Sequence, residues 1–160
     1  MDIQMLCHVL ETTTNNKREV AVTTEGFNQL KDHLMLEIRE FTNNSKMLVT
    51  SLNHPVESLM SSMNECMHTL ARLVMSGQRI VCSLHSELIA SRLTHKICDV
   101  ADHFTSVLQL VIESRGKANN SNMVQDVLRQ AQTMAVLLSS LMRSIRMMQN
   151  YKQDGDRIIL

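Results

Sequence analysis

Residues 43–60 read NNSKMLVTSLNHPVESLM, and the helix count turns on them. Asn43, Asn44 and Ser45 have the chemistry of a loop, whereas Lys46 to Leu52 resembles the middle of a buried helix. Upstream, Phe27, Leu30, Leu34, Ile38 and Phe41 recur three or four residues apart, the spacing that keeps one helix face against a partner. A loop at Asn43 would reset that phase, yet Leu48 and Leu52 continue the stripe, with Ser45 as a small member of it. The spacing therefore predicts one helix running through the polar patch, with Thr24 as N-cap and Glu25 in its first turn. Asn53-His54-Pro55 is the turn instead, because proline disfavours the helical conformation of the residue before it and suits the start of a new helix.

The same spacing recurs downstream. Val56, Leu59, Met63, Cys66, Leu70, Leu73, Gly77, Ile80 and Leu84 predict a long second helix from about Pro55 to Ile89, with Ser76-Gly77 as the place for a bend and a break at Gly77 as the alternative. A new phase at Leu93, Ile97, Val100, Phe104, Val107 and Val111 puts a connection near Ala90 to Arg92 and a third helix up to a C-cap at Gly116. KANNSN, from Lys117 to Asn122, reads as a polar loop. The last stripe, from Val124 to Met148, alternates steps of three and four without interruption. Ile3, Leu6 and Leu10 suggest a short helix ahead of the polar link TTTNNKRE, and KQDGDRIIL after Tyr151 has no helical stripe. The expected fold is all-α, an elongated antiparallel four-helix bundle with a short extra N-terminal helix. Residues 1–23 form the N-terminal helix and linker, 24–151 the bundle and 152–160 a tail.

Composition agrees with this reading. Apolar residues are 44% of the 160, with 13 Met but aromatics confined to Phe27, Phe41, Phe104 and Tyr151, so the core is aliphatic and thioether. Four Gly and one Pro are too few for the turns of a many-stranded β domain. Lys plus Arg equals Asp plus Glu at 16 each, leaving no net field to attract nucleic acid or anionic lipid. Cys7, Cys66, Cys82 and Cys98 lie in apolar stretches, the pattern of reduced thiols. No apolar run approaches the roughly 20 residues needed to span a bilayer, and the expectation is a soluble cytoplasmic protein.

Catalytic chemistry has little support: the sequence holds no Gly-rich phosphate loop, no Gly-x-Ser-x-Gly and no His-Glu-x-x-His, and implies no cofactor. Cys82-x-x-His85 and His95-x-x-Cys98 have ligand-like internal spacing, but the interval between them fits no zinc module, and buried cysteine beside exposed histidine is the reading preferred. More telling is where charge is absent. No residue from Gln130 to Met142 is charged, and Val136 and Leu137 add apolar surface beyond the stripe. Either this helix is the most enclosed of the bundle, or it offers a face on which a partner helix packs, with Met134 and Met142 adapting around it. Arg72, Arg79, Arg143 and Arg146 are the candidate rim charges. Ile158 and Leu160 have the spacing of a PDZ ligand at a free C-terminus.

Three phrases resemble a known family. SKMLVTSL at 45–52, HTLARLVMSGQ at 68–78 and KICDVADHFTSVLQLVIESRGKA at 96–118 are similar to the repeated phrases of talin-type rod bundles, with Asp99-Val100-Ala101 and Leu110 to Arg115 occupying the last of them. The resemblance implies a bundle of the wider group that includes vinculin, catenins and the focal-adhesion targeting domain. Such modules are non-catalytic and bind amphipathic helical peptides, such as Leu-Asp motifs, or actin. The expected function is accordingly a protein-interaction module of a cytoskeletal, cortical or junctional adaptor or scaffold, with adhesion or polarity proteins as partners. The alternative is a homo-oligomerisation module that buries the surplus apolar surface.

Overall fold

Two tight corners set the course of the chain in the computed structural model, which describes residues 3–15, 24–114 and 121–148. Within them lie α1 (Ile3–Asn15), α2 (Thr24–Thr50), a single 3-10 turn at Ser51–Asn53, α3 (Val56–Ser83), α4 (Glu87–Ser114) and α5 (Ser121–Met147). The helix passes through Asn43-Asn44-Ser45 as the stripe requires. At the first corner His54 is extended (φ −88, ψ 167) and Pro55 stands at the N-cap of α3, its carbonyl accepting from the Leu59 N–H at 3.1 Å. Proline costs nothing there because a helix start has no intrahelical partner for its N–H.

The second corner corrects the sequence reading. α3 ends at Ser83, Leu84 is extended (φ −81, ψ 136), and α4 begins at Glu87, so Ala90 to Arg92 lie inside α4 rather than in a connection. Leu84 is buried although it is not helical, and that is why the apolar phase continues across the break. The true signal is a cap: Ser86 Oγ accepts from the Ile89 N–H at 3.4 Å and the Ser86 carbonyl from the Ala90 N–H at 3.0 Å. Glu87 in the first turn suits the positive end of the helix dipole. α3 itself passes Gly77 unbroken. Two smaller boundaries also move: Thr12 to Asn15 belong to α1, and Ser121 and Asn122 to α5. The C-cap expected at Gly116 and the loop residues Lys117 to Asn120 lie outside the described residues, as does the tail.

The four long helices have nearly equal lengths, 27, 28, 28 and 27 residues. They form a ring in which α2 neighbours α3 and α5, while α4 neighbours the same two. The rungs Ser51–Ser62 (3.2 Å), Asn44–Thr69 (3.5 Å) and Glu37–Arg72 (3.2 Å) advance in opposite directions along α2 and α3, which makes the pair antiparallel. Phe41 of α2 and Phe104 of α4 meet edge-on across the middle, with ring centroids 5.2 Å apart at 80°. On the α4–α5 seam the Lys96 ammonium donates to Ser140 Oγ (3.1 Å) and Ser144 Oγ (2.6 Å). The short N-terminal helix docks: α1 lies against α3 and α4, burying Ile3, Leu6, Cys7 and Leu10.

Candidate functional site

The ring is not filled equally on all sides. Along α5, Ala131, Ala135 and Ser139 follow at four-residue intervals, so three small side chains line up on one face. Opposite them on α2 are Thr42, Asn43, Ser45 and Lys46, also short or turned outward, and the two faces leave a groove. Its wider part is a cleft of ≈ 620 Å³ between Ile38–Lys46 and Ala135–Arg146. A second cleft of ≈ 310 Å³ continues it toward Val49, Thr50 and Leu128, sharing Thr42, Lys46, Ala135 and Leu138 with the first. From Ile38 to Thr50 the α2 wall is about 18 Å long, room for about three turns of another helix.

The floor is apolar: Ile38, Leu138 and Met134 are buried at 1%, 3% and 2% exposure, and Met142, Leu128 and Val49 are half-buried. The hydroxyl protons of the α2 wall are spent on its own helix, Thr42 Oγ1 donating to Ile38 O at 2.7 Å and Ser45 Oγ to Phe41 O at 2.8 Å. Four cations stand on the rim, Arg39 and Lys46 from α2 and Arg143 and Arg146 from α5, and no acidic residue lines either cleft. Among the described residues none of the four is in an ion pair, whereas Arg72 and Arg129 are both paired. An apolar trough edged by unpaired positive charge is complementary to an amphipathic helix whose polar face is acidic.

The structure divides the sequence-predicted candidates. Met134, Met142, Arg143 and Arg146 come together in this groove. Val136 is 69% exposed just outside the groove, where it lines a small adjoining cleft with Ala135, Ser139, Ser140 and Arg143, and Leu137 packs half-buried against the core. Arg79 is exposed on α3 and lines neither cleft. Arg72 is turned to α2, with its guanidinium 3.2 Å from Glu37 and 3.2 Å from Glu40. That bridge ties α2 to α3, because the Glu37 side chain is only 7% exposed and has His33 as its other neighbour. Ile158 and Leu160 lie outside the described residues.

Arg39 and Lys46 were not singled out by the sequence reading, since single cations on a helix otherwise read as solvent-facing. The small-residue spacing on α5 was the signal that marks the opposite wall. Of the ligand-like cysteine and histidine pairs, His85 and His95 are exposed, and Cys98 is buried against α1. Among the described residues no group of three or more His, Cys, Asp and Glu is placed to hold a metal ion, and no helix is long and apolar enough to cross a membrane. No protein-family model matches the sequence and no curated protein matches it, so the groove's geometry and charge carry the functional reading.

Proposed function

We propose that this bundle is a non-catalytic interaction module that holds an acidic amphipathic helix of a partner protein in the groove between α2 and α5. The observation that carries the reading is the rim: Arg39, Lys46, Arg143 and Arg146 surround an apolar floor with no acid among the lining residues. Apolar burial would supply affinity, and the four cations would select acidic helices and reject basic ones. A partner helix of about three turns matches the length of the wall. The resemblance of residues 45–52 and 96–118 to phrases of talin-type bundles points the same way, toward an adaptor or scaffold of the cytoskeleton, cortex or junctions. Self-association through this groove is disfavoured, because a two-fold contact would set the same four cations against their copies.

Two peptides with one apolar stripe, one carrying Asp and Glu on its polar face and the other Lys, separate these ideas by amide NMR titration. The acidic peptide should shift Thr42, Lys46, Ala135 and Ser139, and the basic one should leave them in place. Arg143→Glu with Arg146→Glu should weaken the acidic peptide by about tenfold or more, and added salt should weaken it further. Equal binding of both peptides, or shifts centred on α3, would overturn the assignment. Light scattering over a range of concentrations tests the oligomeric alternative, which a strict monomer removes.

A further inference from the structure

A second feature lies on the opposite flank, where α1 meets α4. Cys7 on α1 and Cys98 on α4 face each other across the seam with their thiols hydrogen-bonded, each residue 9% exposed. Cys66 is differently placed: it is fully enclosed in the core, with the Ser45 hydroxyl as its hydrogen-bond partner. Two thiols in contact, contributed by separate helices, are one covalent bond away from a cross-link, and thiol pairs of this kind gain their reactivity from proximity.

We propose that Cys7 and Cys98 are a modification site, a dithiol that hydrogen peroxide converts to a disulfide fastening α1 to α4. α1 has 13 residues and a single buried stripe, so it is the helix most readily lifted from the bundle. Lifting it uncovers both thiols. The Cys7 thiolate attacks the peroxide, breaking its O–O bond; a sulfenic acid forms on Cys7, and the departing hydroxide takes up the thiol proton as water. When α1 returns, Cys98 attacks the Cys7 sulfur: the S–S bond forms, the S–O bond breaks, and the oxygen leaves as a second water. Both thiol hydrogens and two electrons end on the peroxide, which is reduced to water.

The order of attack follows from the lifting itself, which carries Cys7 into solvent on α1 while Cys98 stays on α4, which remains packed in the bundle. Burial pushes both thiols up, Glu11 and Asp102 nearby add to this, and the docked pair is therefore slow toward peroxide. Selectivity for this pair comes instead from the resolving thiol already in place. The outcome is a bundle whose N-terminal helix is held shut by oxidation and free to lift when reduced.

The test uses the full chain, reduced, exposed to hydrogen peroxide, alkylated and digested with trypsin. Residues 1–17 and 97–115 are the tryptic peptides that carry Cys7 and Cys98. The expected product is these two peptides joined, with the intact mass lower by two hydrogens and the link reversed by dithiothreitol. Amide exchange along α1 should slow by about tenfold or more in the oxidised protein. Cys98→Ser and Cys98→Ala should each give no link and leave a Cys7 sulfenic acid that a cyclic dione traps. A link to Cys66 or Cys82, a link between chains, over-oxidation of Cys7 and Cys98 without joining, or oxidation that leaves both as thiols would each overturn the proposal.

Discussion

Gly77→Ala is the substitution on which general helix propensity and this particular packing disagree. Gly77 is buried in the C-terminal half of α3, still within the helix interior, where alanine is better than glycine by about 1 kcal/mol. A Cβ at that position, however, would overlap Cδ1 of Ile97 on α4, which is fully enclosed, so the end of the Ile97 side chain must leave its place within the core to admit the methyl. Overpacking of this kind costs about 1 to 3 kcal/mol, so Gly77→Ala should destabilise the bundle by about 1 kcal/mol net. Ile97→Val removes the offending methyl and alone should cost about 1 kcal/mol. With both changes, the alanine methyl enters the vacated space, where the remaining Ile97 Cγ1 position is 3.7 Å away, an ordinary contact. The double variant should then lie within about 0.5 kcal/mol of the parent, a favourable coupling of about 1 to 2 kcal/mol. Urea unfolding of the four proteins measures it. A stabilised Gly77→Ala, or strictly additive single changes, would refute the close approach of α3 and α4 at this level.

Three other perturbations have definite outcomes. Arg72→Met should cost about 2 kcal/mol in urea unfolding, between an exposed ion pair and a broken buried one, because Arg72 is half-exposed but Glu37 is not. Adding Glu37→Gln should return about half of that loss, and a neutral Arg72→Met would mean that Glu37 is satisfied without it. Stability should fall as pH rises above 9, because burial pushes the Cys66 thiol up to about 12 while the unfolded thiol ionises near its ordinary 9.0. Its contribution is complete below pH 9 and lost by about pH 12, at up to about 1.4 kcal/mol per pH unit, so Cys66→Val should flatten the alkaline slope. Leu10→Ala empties space under α1, and hydrogen exchange should show α1 amides opening about tenfold faster while those around Phe104 in α4 are unchanged. A uniform loss of protection would mean that α1 unfolds only with the whole bundle.

The helices themselves were largely legible in the sequence, because an apolar residue every third or fourth position leaves a chain little choice but to turn one face inward. That pattern carried α2 through Asn43-Asn44-Ser45, and the structure supplies the reason these polar residues are tolerated. Asn44 reaches Thr69 of α3, Ser45 bonds Phe41 O and sits beside Cys66, and Asn43 borders the groove. Periodicity misplaced the corner between α3 and α4, because Leu84 buries itself from an extended backbone and so keeps the stripe in phase. Ser86 followed by Glu87 was the better guide, since capping depends on local hydrogen bonds rather than on which way a side chain faces.

Sequence alone determined that the chain is all-α, that Pro55 is a corner and that α5 carries an uncharged stretch from Gln130 to Met142. Each of these follows from residues within a turn or two of one another along the chain. Tertiary structure alone decided which arginines are committed and which are available. Arg72 and Arg143 are indistinguishable as isolated residues, yet one is held by Glu37 and Glu40 while the other stands on the rim of a groove without a carboxylate. It likewise decided that Cys7 meets Cys98 across 90 residues of intervening chain. Neighbours contributed by different helices depend on how the helices rotate and pair as they pack, and no periodicity read along one strand of sequence contains that rotation.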